Sequence, residues 1–156
     1  MSKKQKKMLI RIIAAGAIWA IGFAVEHIFP TDDRFSLLGY KSGEDLQREV
    51  GNARFTVLSS EWRENMPYSG LESLAAQTPI IGARIGGIPE LVEEGKTGVT
   101  FESGDAVDLL NSMRKCSAVS ASSYSSMQRF CREYVNARCL QNKYALTLID
   151  LYERVI

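Results

Sequence analysis

The stretch of sequence that decides the fold is EWRENMPYSGLESLAAQTPIIGARIGGIPELVEEGKTGVTFESG, residues 61–104. It predicts a turn-rich loop, a short helix, a buried strand, a glycine turn and a second short helix, in that order. In open α/β sheets, ligand sites form at the carboxyl ends of strands, where loops lead into helix N-termini. We therefore expect a ligand site within this stretch.

The centre of the stretch is the segment Glu64–Glu72. Pro67 suits the first turn of a helix, because its φ is fixed and its missing N–H is not needed there. The backbone N–H groups of Tyr68–Gly70 would point out of this helix terminus and, together with the helix dipole, would favour a phosphate. Because Gly70 has no side chain, we expect a ligand to approach the backbone closely there.

Two carboxylates flank this predicted terminus. Glu64 lies in the loop before the helix, and Glu72 lies about one turn into it. The arrangement suits a nucleotide sugar, which has hydroxyls on both sides of its phosphates. The spacing alone is not specific, since Glu94 and Glu102 are separated in the same way. On spacing alone, an ordinary solvated glutamate of a helix is the favoured interpretation of Glu72.

The surrounding sequence is more specific, and it resembles the donor-binding half of the family 4 glycosyltransferases of GT-B fold. The resemblance covers residues 35–156. It rests on five pieces of the chain: Leu38–Tyr40, Asn52–Trp62, Glu64–Glu72, Thr78–Arg84 and Gly86–Phe101.

The resemblance implies an α/β fold, with a partial Rossmann-like parallel sheet and helices on both faces. It also implies that Glu64 lies beside the transferred sugar as the candidate catalytic residue, and that Glu72 holds the ribose. The residues between them would approach the diphosphate: Asn65, Met66, Pro67, Tyr68, Ser69, Gly70 and Leu71. The Gly86–Gly87 corner is either a second phosphate or sugar contact or only a tight turn.

By this resemblance we expect a transferase that moves a sugar from a nucleotide-diphosphate sugar to a carbohydrate or lipid-linked acceptor, with retention of configuration. Neither a metal nor a cofactor is expected. The alternatives are a non-catalytic nucleotide-sugar-binding module and a membrane-anchored fragment. The family's acceptor domain, and the segment that supplies an arginine and a lysine for the phosphates, have no match here. We therefore expect a second chain to complete the cleft.

Composition narrows the classes of function. With 156 residues, 46% of them apolar, the chain is long enough for one globular domain with a core. A formal net charge of +1 argues against nucleic-acid binding, which needs a basic excess. Cys116, Cys131 and Cys139 form no C-x-x-C pair, and we expect reduced thiols in a cytoplasmic protein. The only histidine, His27, ends an apolar run and is expected to be structural.

Residues 1–30 are predicted to form a separate basic and apolar helix, before the domain at 35–156. Four lysines precede the apolar run 8–25, which Arg11 alone interrupts. Such a run is a short membrane span, a signal-peptide core or a buried helix. A span oriented by these lysines would export the rest of the chain, away from a cytoplasmic donor. Membrane contact through residues 8–25 therefore stays an alternative, as does packing of this helix on the incomplete sheet.

Elsewhere, patterning predicts a regular alternation of strands and helices. The predicted strands are Phe35–Gly39, Phe55–Leu58, Pro79–Gly82 and Val99–Phe101. The predicted helices start at Ser42, Pro67, Pro89 and Asp105, the third running through Glu94 to an end at Gly95. The serine-rich segment 117–126 is expected to be a loop, followed by helical stripes that extend to Val155.

Overall fold

The computed structural model describes residues 10–12, 35–139, 149–150 and 154. The chain divides into two units, 1–48 and 49–156. In the first unit, strand β1 (Ile10–Ile12) pairs in parallel with strand β2 (Phe35–Leu37). The predicted strand at Phe35 is thus confirmed, two residues shorter than expected.

The predicted apolar helix is wrong at the only residues of the 8–25 run that are described, because Ile10–Ile12 form β1. Two β-branched isoleucines favour an extended backbone, and the parallel partner β2 supplies hydrogen bonds to it. The rest of the run lies outside the described residues, and so does its predicted membrane contact. Among the helices that the structure describes, none combines the length and apolar character needed to cross a bilayer.

Helix α1 (Gly43–Asn52) follows Ser42, as predicted, and crosses the boundary between the two units. Its first turn contains Glu44 and Asp45, whose negative charges interact favourably with the positive end of the helix dipole. Val50 is its buried residue.

The second unit contains a three-stranded parallel sheet in the order β3-β4-β5. The strands are β3 (Thr56–Leu58), β4 (Ile80–Ala83) and β5 (Gly98–Phe101). Helix α2 (Tyr68–Ala75) connects β3 to β4, and helix α3 (Ile88–Leu91) connects β4 to β5. All residues of β4 are buried, as expected for the central strand of a parallel sheet. The predicted α/β fold is confirmed.

Two longer helices complete the described part of this unit. Helix α4 (Ala106–Ser117) begins after Asp105, whose carboxylate accepts hydrogen bonds from the N–H groups of Val107 and Asp108, at 2.8 and 2.9 Å. This confirms the predicted cap. Helix α5 (Ala121–Arg138) follows after three residues. The core comprises buried residues of the strands and helices: Leu58, Leu74, Ile80, Ile81, Ala83, Ile88, Leu91, Val92, Phe101, Cys116, Cys131 and Tyr134.

The predicted loop at 117–126 is confirmed only for Ala118–Ser120, because helix α4 ends at Ser117 and helix α5 begins at Ala121. The serine hydroxyls are satisfied within the helix rather than in a loop. Ser120 caps the helix by accepting from the N–H of Ser123 at 3.2 Å. Ser125 donates to the carbonyl of Ala121 at 3.0 Å, one turn earlier. Of the predicted final helix, Ile149, Asp150 and Arg154 are helical, and the other residues lie outside the described part.

The third predicted helix starts near Pro89, as expected, but ends at Leu91 rather than at Gly95. Thr97 causes the early end. Its hydroxyl donates to the carbonyl of Leu91 at 3.0 Å and accepts from the N–H of Glu93 at 2.7 Å. These bonds replace the next helical turn.

A chain of buried hydrogen bonds ties α1, β3 and α2 to the entry of β4. The hydroxyls of Thr56 and Ser73 are 2.6 Å apart, and Ser73 donates to the carbonyl of Thr78 at 2.7 Å. Thr78 in turn donates to the carbonyl of Val50 at 2.8 Å. Ser73 and Thr78 are almost fully buried, so water cannot replace these partners.

Replacing Ser73 by Ala should lower the free energy of unfolding by about 1–3 kcal/mol, because buried polar groups lose their partner. Urea denaturation measures the loss. Ser125→Ala on the exposed face of α5 is the matched control and should change stability by less than about 0.5 kcal/mol. Equal stabilities of the two variants would contradict a structural role for the buried chain.

The cysteines differ in their surroundings. Cys116 and Cys131 are buried, and Cys139 is exposed. Burial raises the pKa of the Cys116 thiol to about 11 and that of Cys131 to about 12. Both therefore stay protonated and unreactive at neutral pH, since the thiolate is the nucleophile.

We expect a disulfide reagent at pH 8 to modify one thiol rapidly in the native chain and all three after denaturation. Cys139→Ser should abolish the rapid phase. Rapid reaction of three thiols in the native protein would mean that the core around Cys131 opens readily.

Candidate functional site

The loop after β3 holds the Glu64 carboxylate in place. Its Oε1 atom accepts hydrogen bonds from the Ser60 hydroxyl at 2.7 Å and from the indole Nε1–H of Trp62 at 3.1 Å. The backbone is fixed too, because the N–H of Gly87 donates to the Glu64 carbonyl at 2.7 Å. Glu64 therefore lies at a defined place beside the carboxyl ends of β3 and β4.

The N-terminus of α2 follows this loop. Pro67 is its N-cap residue, with extended backbone (φ −68°, ψ 123°), and no side chain caps the helix. The N–H of Gly70 donates to the Pro67 carbonyl at 3.0 Å, so the prediction that it points out of the terminus is wrong. The N–H groups of Tyr68 and Ser69 lie in the first turn of α2, where the helix has no carbonyl to accept their hydrogen bonds. They are therefore available to donate to an anion. The predicted start of a helix at Pro67 is confirmed.

The Gly86–Gly87 turn after β4 packs against the backbone of this loop. A Cβ on Gly87 would lie 1.6 Å from the carbonyl oxygen of Asn65, and one on Gly86 would lie 2.4 Å from that of Glu64. Gly86 also has a positive φ of 55°. These contacts explain both glycines as requirements of a tight turn packed against the loop. A role for them in binding phosphate or sugar stays a prediction.

Gly70 has a packing role that the sequence did not predict. It is buried, and a Cβ there would lie 2.5 Å from Cδ1 of Leu91 and 3.1 Å from Cδ1 of Leu58. The glycine thus lets α2 pack closely on α3 and β3. The expected close approach of a ligand to its backbone stays a prediction.

Glu72 lies on α2 with an exposed side chain, and its carboxylate has no hydrogen-bond partner among the described residues. The structure thus places Glu64 in the loop before the helix terminus and Glu72 within the helix. Their predicted roles toward sugar and ribose stay predictions. Glu94, which has the same spacing from Glu102 as Glu64 has from Glu72, has a structural partner. Its carboxylate accepts a hydrogen bond from the N–H of Thr100 at 2.7 Å and so links a turn to β5.

A groove of about 490 Å³ extends from this segment to helix α5. It is lined by Met66, Leu71, Glu90, Tyr134, Arg138 and Cys139. Tyr134 donates to the carbonyl of Glu90 at 2.7 Å, and the Arg138 guanidinium stacks 4.4 Å from the centre of the Tyr134 ring. Tyr134 belongs to the core, as the sequence pattern predicts, and it also lines the groove because α5 packs on α2.

The described residues contain no group of three or more His, Cys, Asp or Glu side chains arranged to hold a metal ion. The expectation that neither metal nor cofactor is needed stays a prediction.

A family model described as "Glycosyl transferases group 1" matches residues 4–118. The chain belongs to this family. The family inferred from the sequence is thereby confirmed, but the expected bounds are not, because the matched region begins at residue 4 rather than 35 and ends at 118.

Similarity to individual proteins agrees with this assignment. A sulfoquinovosyl transferase of Arabidopsis thaliana is 33% identical over 79 residues, which are 49% of this chain and 15% of that protein. An N-acetyl-α-D-glucosaminyl L-malate synthase of Bacillus anthracis is 35% identical over 74 residues, 47% of this chain and 19% of that protein. The matched region is thus less than a quarter of either relative.

The fold also resembles that of a solved sucrose-phosphate synthase from Thermosynechococcus elongatus. The TM-score is 0.74 at 24% identity, over 91% of this chain and 35% of that one. The Anabaena protein HepE, solved in complex with UDP-glucose, gives a TM-score of 0.68 at 18% identity, over 84% of this chain and 36% of that one. The chain therefore spans about a third of each of these structures.

Replacing Gly87 by Ala should destabilise the second unit by about 1–3 kcal/mol, because the added methyl group meets the Asn65 carbonyl and overpacks the turn. Urea denaturation measures the change. Gly51→Ala in α1 is the control, since a Cβ there meets nothing within 4 Å, and it should not lower stability. If Gly87→Ala were as stable as Gly51→Ala, the close packing of turn and loop would be refuted.

Proposed function

We propose that this chain is the donor-binding part of a glycosyltransferase that transfers a sugar from a nucleotide-diphosphate sugar. The observation that supports it most is the juxtaposition of Glu64 with the uncapped N-terminus of α2. Glu64 is held by the Ser60 and Trp62 side chains, and the N–H groups of Tyr68 and Ser69 follow within five residues of it. A carboxylate accepts hydrogen bonds from sugar hydroxyls, and the N–H groups at a helix N-terminus donate hydrogen bonds to phosphate.

In this proposal each part of the donor has its own contact. The sugar lies at Glu64, the diphosphate lies at the start of α2, and the ribose hydroxyls bind the exposed carboxylate of Glu72. The residues between the two glutamates, Asn65 to Leu71, approach the diphosphate as the resemblance predicts. The complex of HepE with UDP-glucose supports a uridine donor, because that protein has the same fold.

The reaction proposed by resemblance retains the anomeric configuration, with a carbohydrate or lipid-linked acceptor. The acceptor would bind on a partner domain or chain that completes the cleft. That the matched relatives are named as a transferase and a synthase supports an enzymatic role over a non-catalytic binding module.

Titration calorimetry of UDP and GDP into the full chain tests this proposal. We expect Glu72→Ala to weaken nucleotide binding by about 10- to 100-fold, because hydrogen bonds from the ribose hydroxyls to a charged group contribute about 1.5–3 kcal/mol. Glu133→Ala, an exposed glutamate of α5 that pairs with Arg129, is the control and should bind as the wild type does. Failure of the wild type to bind either nucleotide at millimolar concentration would refute the donor site.

A further inference from the structure

We propose that Ser60 and Trp62 are positioning residues that orient the Glu64 carboxylate for the sugar part of the donor. This inference rests on the proposed function, in which Glu64 contacts the sugar. It adds a mechanism for specificity that the spacing of Glu64 and Glu72 does not contain.

Both side chains donate to the same carboxylate oxygen. The Ser60 hydroxyl lies 2.7 Å from Oε1 and the Trp62 Nε1 lies 3.1 Å from it. Within the described part of the chain, Oε2 accepts no hydrogen bond. One oxygen is therefore engaged by the protein, and the other remains available to a ligand hydroxyl.

The backbone that carries these donors is held in place by the loops that follow the neighbouring strands β4 and β5. The Ser60 carbonyl accepts from the hydroxyl of Ser103, after β5, at 3.1 Å. The Glu64 carbonyl accepts from Gly87, after β4, at 2.7 Å. The loop after β3 is thus fixed at both ends of the Ser60–Glu64 segment. Contacts with the loops after β4 and β5 therefore help to set the orientation of the Glu64 carboxylate.

Core packing does not account for Trp62. Its side chain is 70% exposed, although tryptophan is usually well buried. Its indole N–H is used on Glu64, which holds this large exposed ring beside the carboxylate. Ser60, two residues earlier, supplies the second donor. The side chains of Ser60, Trp62 and Glu64 are thus joined by hydrogen bonds within one short loop.

Orientation of this kind changes affinity for the sugar without a direct contact to it. A carboxylate freed from both donors samples about three staggered χ1 positions instead of one. The expected cost is about three- to tenfold in affinity for a ligand hydroxyl, since each tenfold corresponds to about 1.4 kcal/mol. The nucleoside diphosphate alone does not use Glu64, so its affinity should not change.

The test compares UDP-glucose with UDP as ligands of the full chain, by titration calorimetry. Ser60→Ala and Trp62→Phe each remove one donor, and Trp62→Phe keeps an aromatic ring. We expect the double variant Ser60→Ala/Trp62→Phe to weaken UDP-glucose about three- to tenfold and to leave UDP unchanged, with a smaller loss of UDP-glucose affinity in each single variant. Ser59→Ala is the matched control, because this exposed neighbour makes no contact with Glu64, and it should bind both ligands normally.

A second measurement needs no ligand. In a Trp19→Phe background, Trp62 is the only tryptophan, and its indole N–H gives one cross-peak in a ¹⁵N–¹H spectrum. Glu64→Gln should move this cross-peak strongly, because a neutral amide replaces the charged acceptor, and Ser59→Ala should leave it in place. An unmoved cross-peak in Glu64→Gln would overturn the inference.

The calorimetric outcomes separate this inference from the proposed function. If the wild type bound neither UDP nor UDP-glucose, both would be overturned. If the wild type bound both ligands and the variants lost no preference for UDP-glucose, only the positioning role would be overturned. A parallel loss of UDP and UDP-glucose affinity would also overturn it, because that pattern indicates general damage to the loop.

Discussion

The hydrogen bond from the Gly87 N–H to the Glu64 carbonyl is the contact on which the candidate site depends. Parallel strands end at one edge of a sheet, so the loops after β3 and β4 emerge side by side. Only a residue without a Cβ allows them to approach as closely as they do here, since a Cβ on Gly87 would lie 1.6 Å from the Asn65 carbonyl. The position of Glu64 thus follows from the backbone of the neighbouring loop.

The sheet provides the rigidity that this contact needs. Strand β4 is buried along its whole length and pairs on both sides, and the chain of hydroxyls from Thr56 through Ser73 to Thr78 joins it to β3 and α2. Gly70 lets α2 pack against Leu91 and Leu58. The helix whose N-terminus faces the site is therefore fixed by the core on one side, while its first residues stay open to solvent on the other.

Much of this architecture follows from local sequence. Short β-branched runs predicted β3 to β5, and Pro67 and Asp105 marked helix starts. Periodicity failed where side-chain hydroxyls bond to nearby backbone, because the hydroxyl of Thr97 ends α3 early and the serines of α5 bond within the helix. It also could not distinguish a strand from a helix in the apolar run at Ile10–Ile12.

The site was predictable only in part. Glu64 and Glu72 are candidates because of the residues around them, through a family resemblance, and their roles stay predictions. The hydrogen bonds from Ser60 and Trp62 to Glu64 were not predictable, because neither spacing nor residue type shows which donors will bond to a carboxylate. Tyr134 and Arg138 come from a helix about 70 residues further along the chain, and only the packed fold brings them to the groove.

The backbone contact at Gly87 has a consequence for how such a site can diverge. Since main-chain atoms set the loop's position, its outward side chains are free to change without cost to the fold. Met66 and Tyr68 are 46% and 81% exposed, and substitutions at exposed positions usually shift stability by less than about 0.5 kcal/mol. Substitutions of these side chains can therefore change the surface of the candidate site while the scaffold beneath them stays intact.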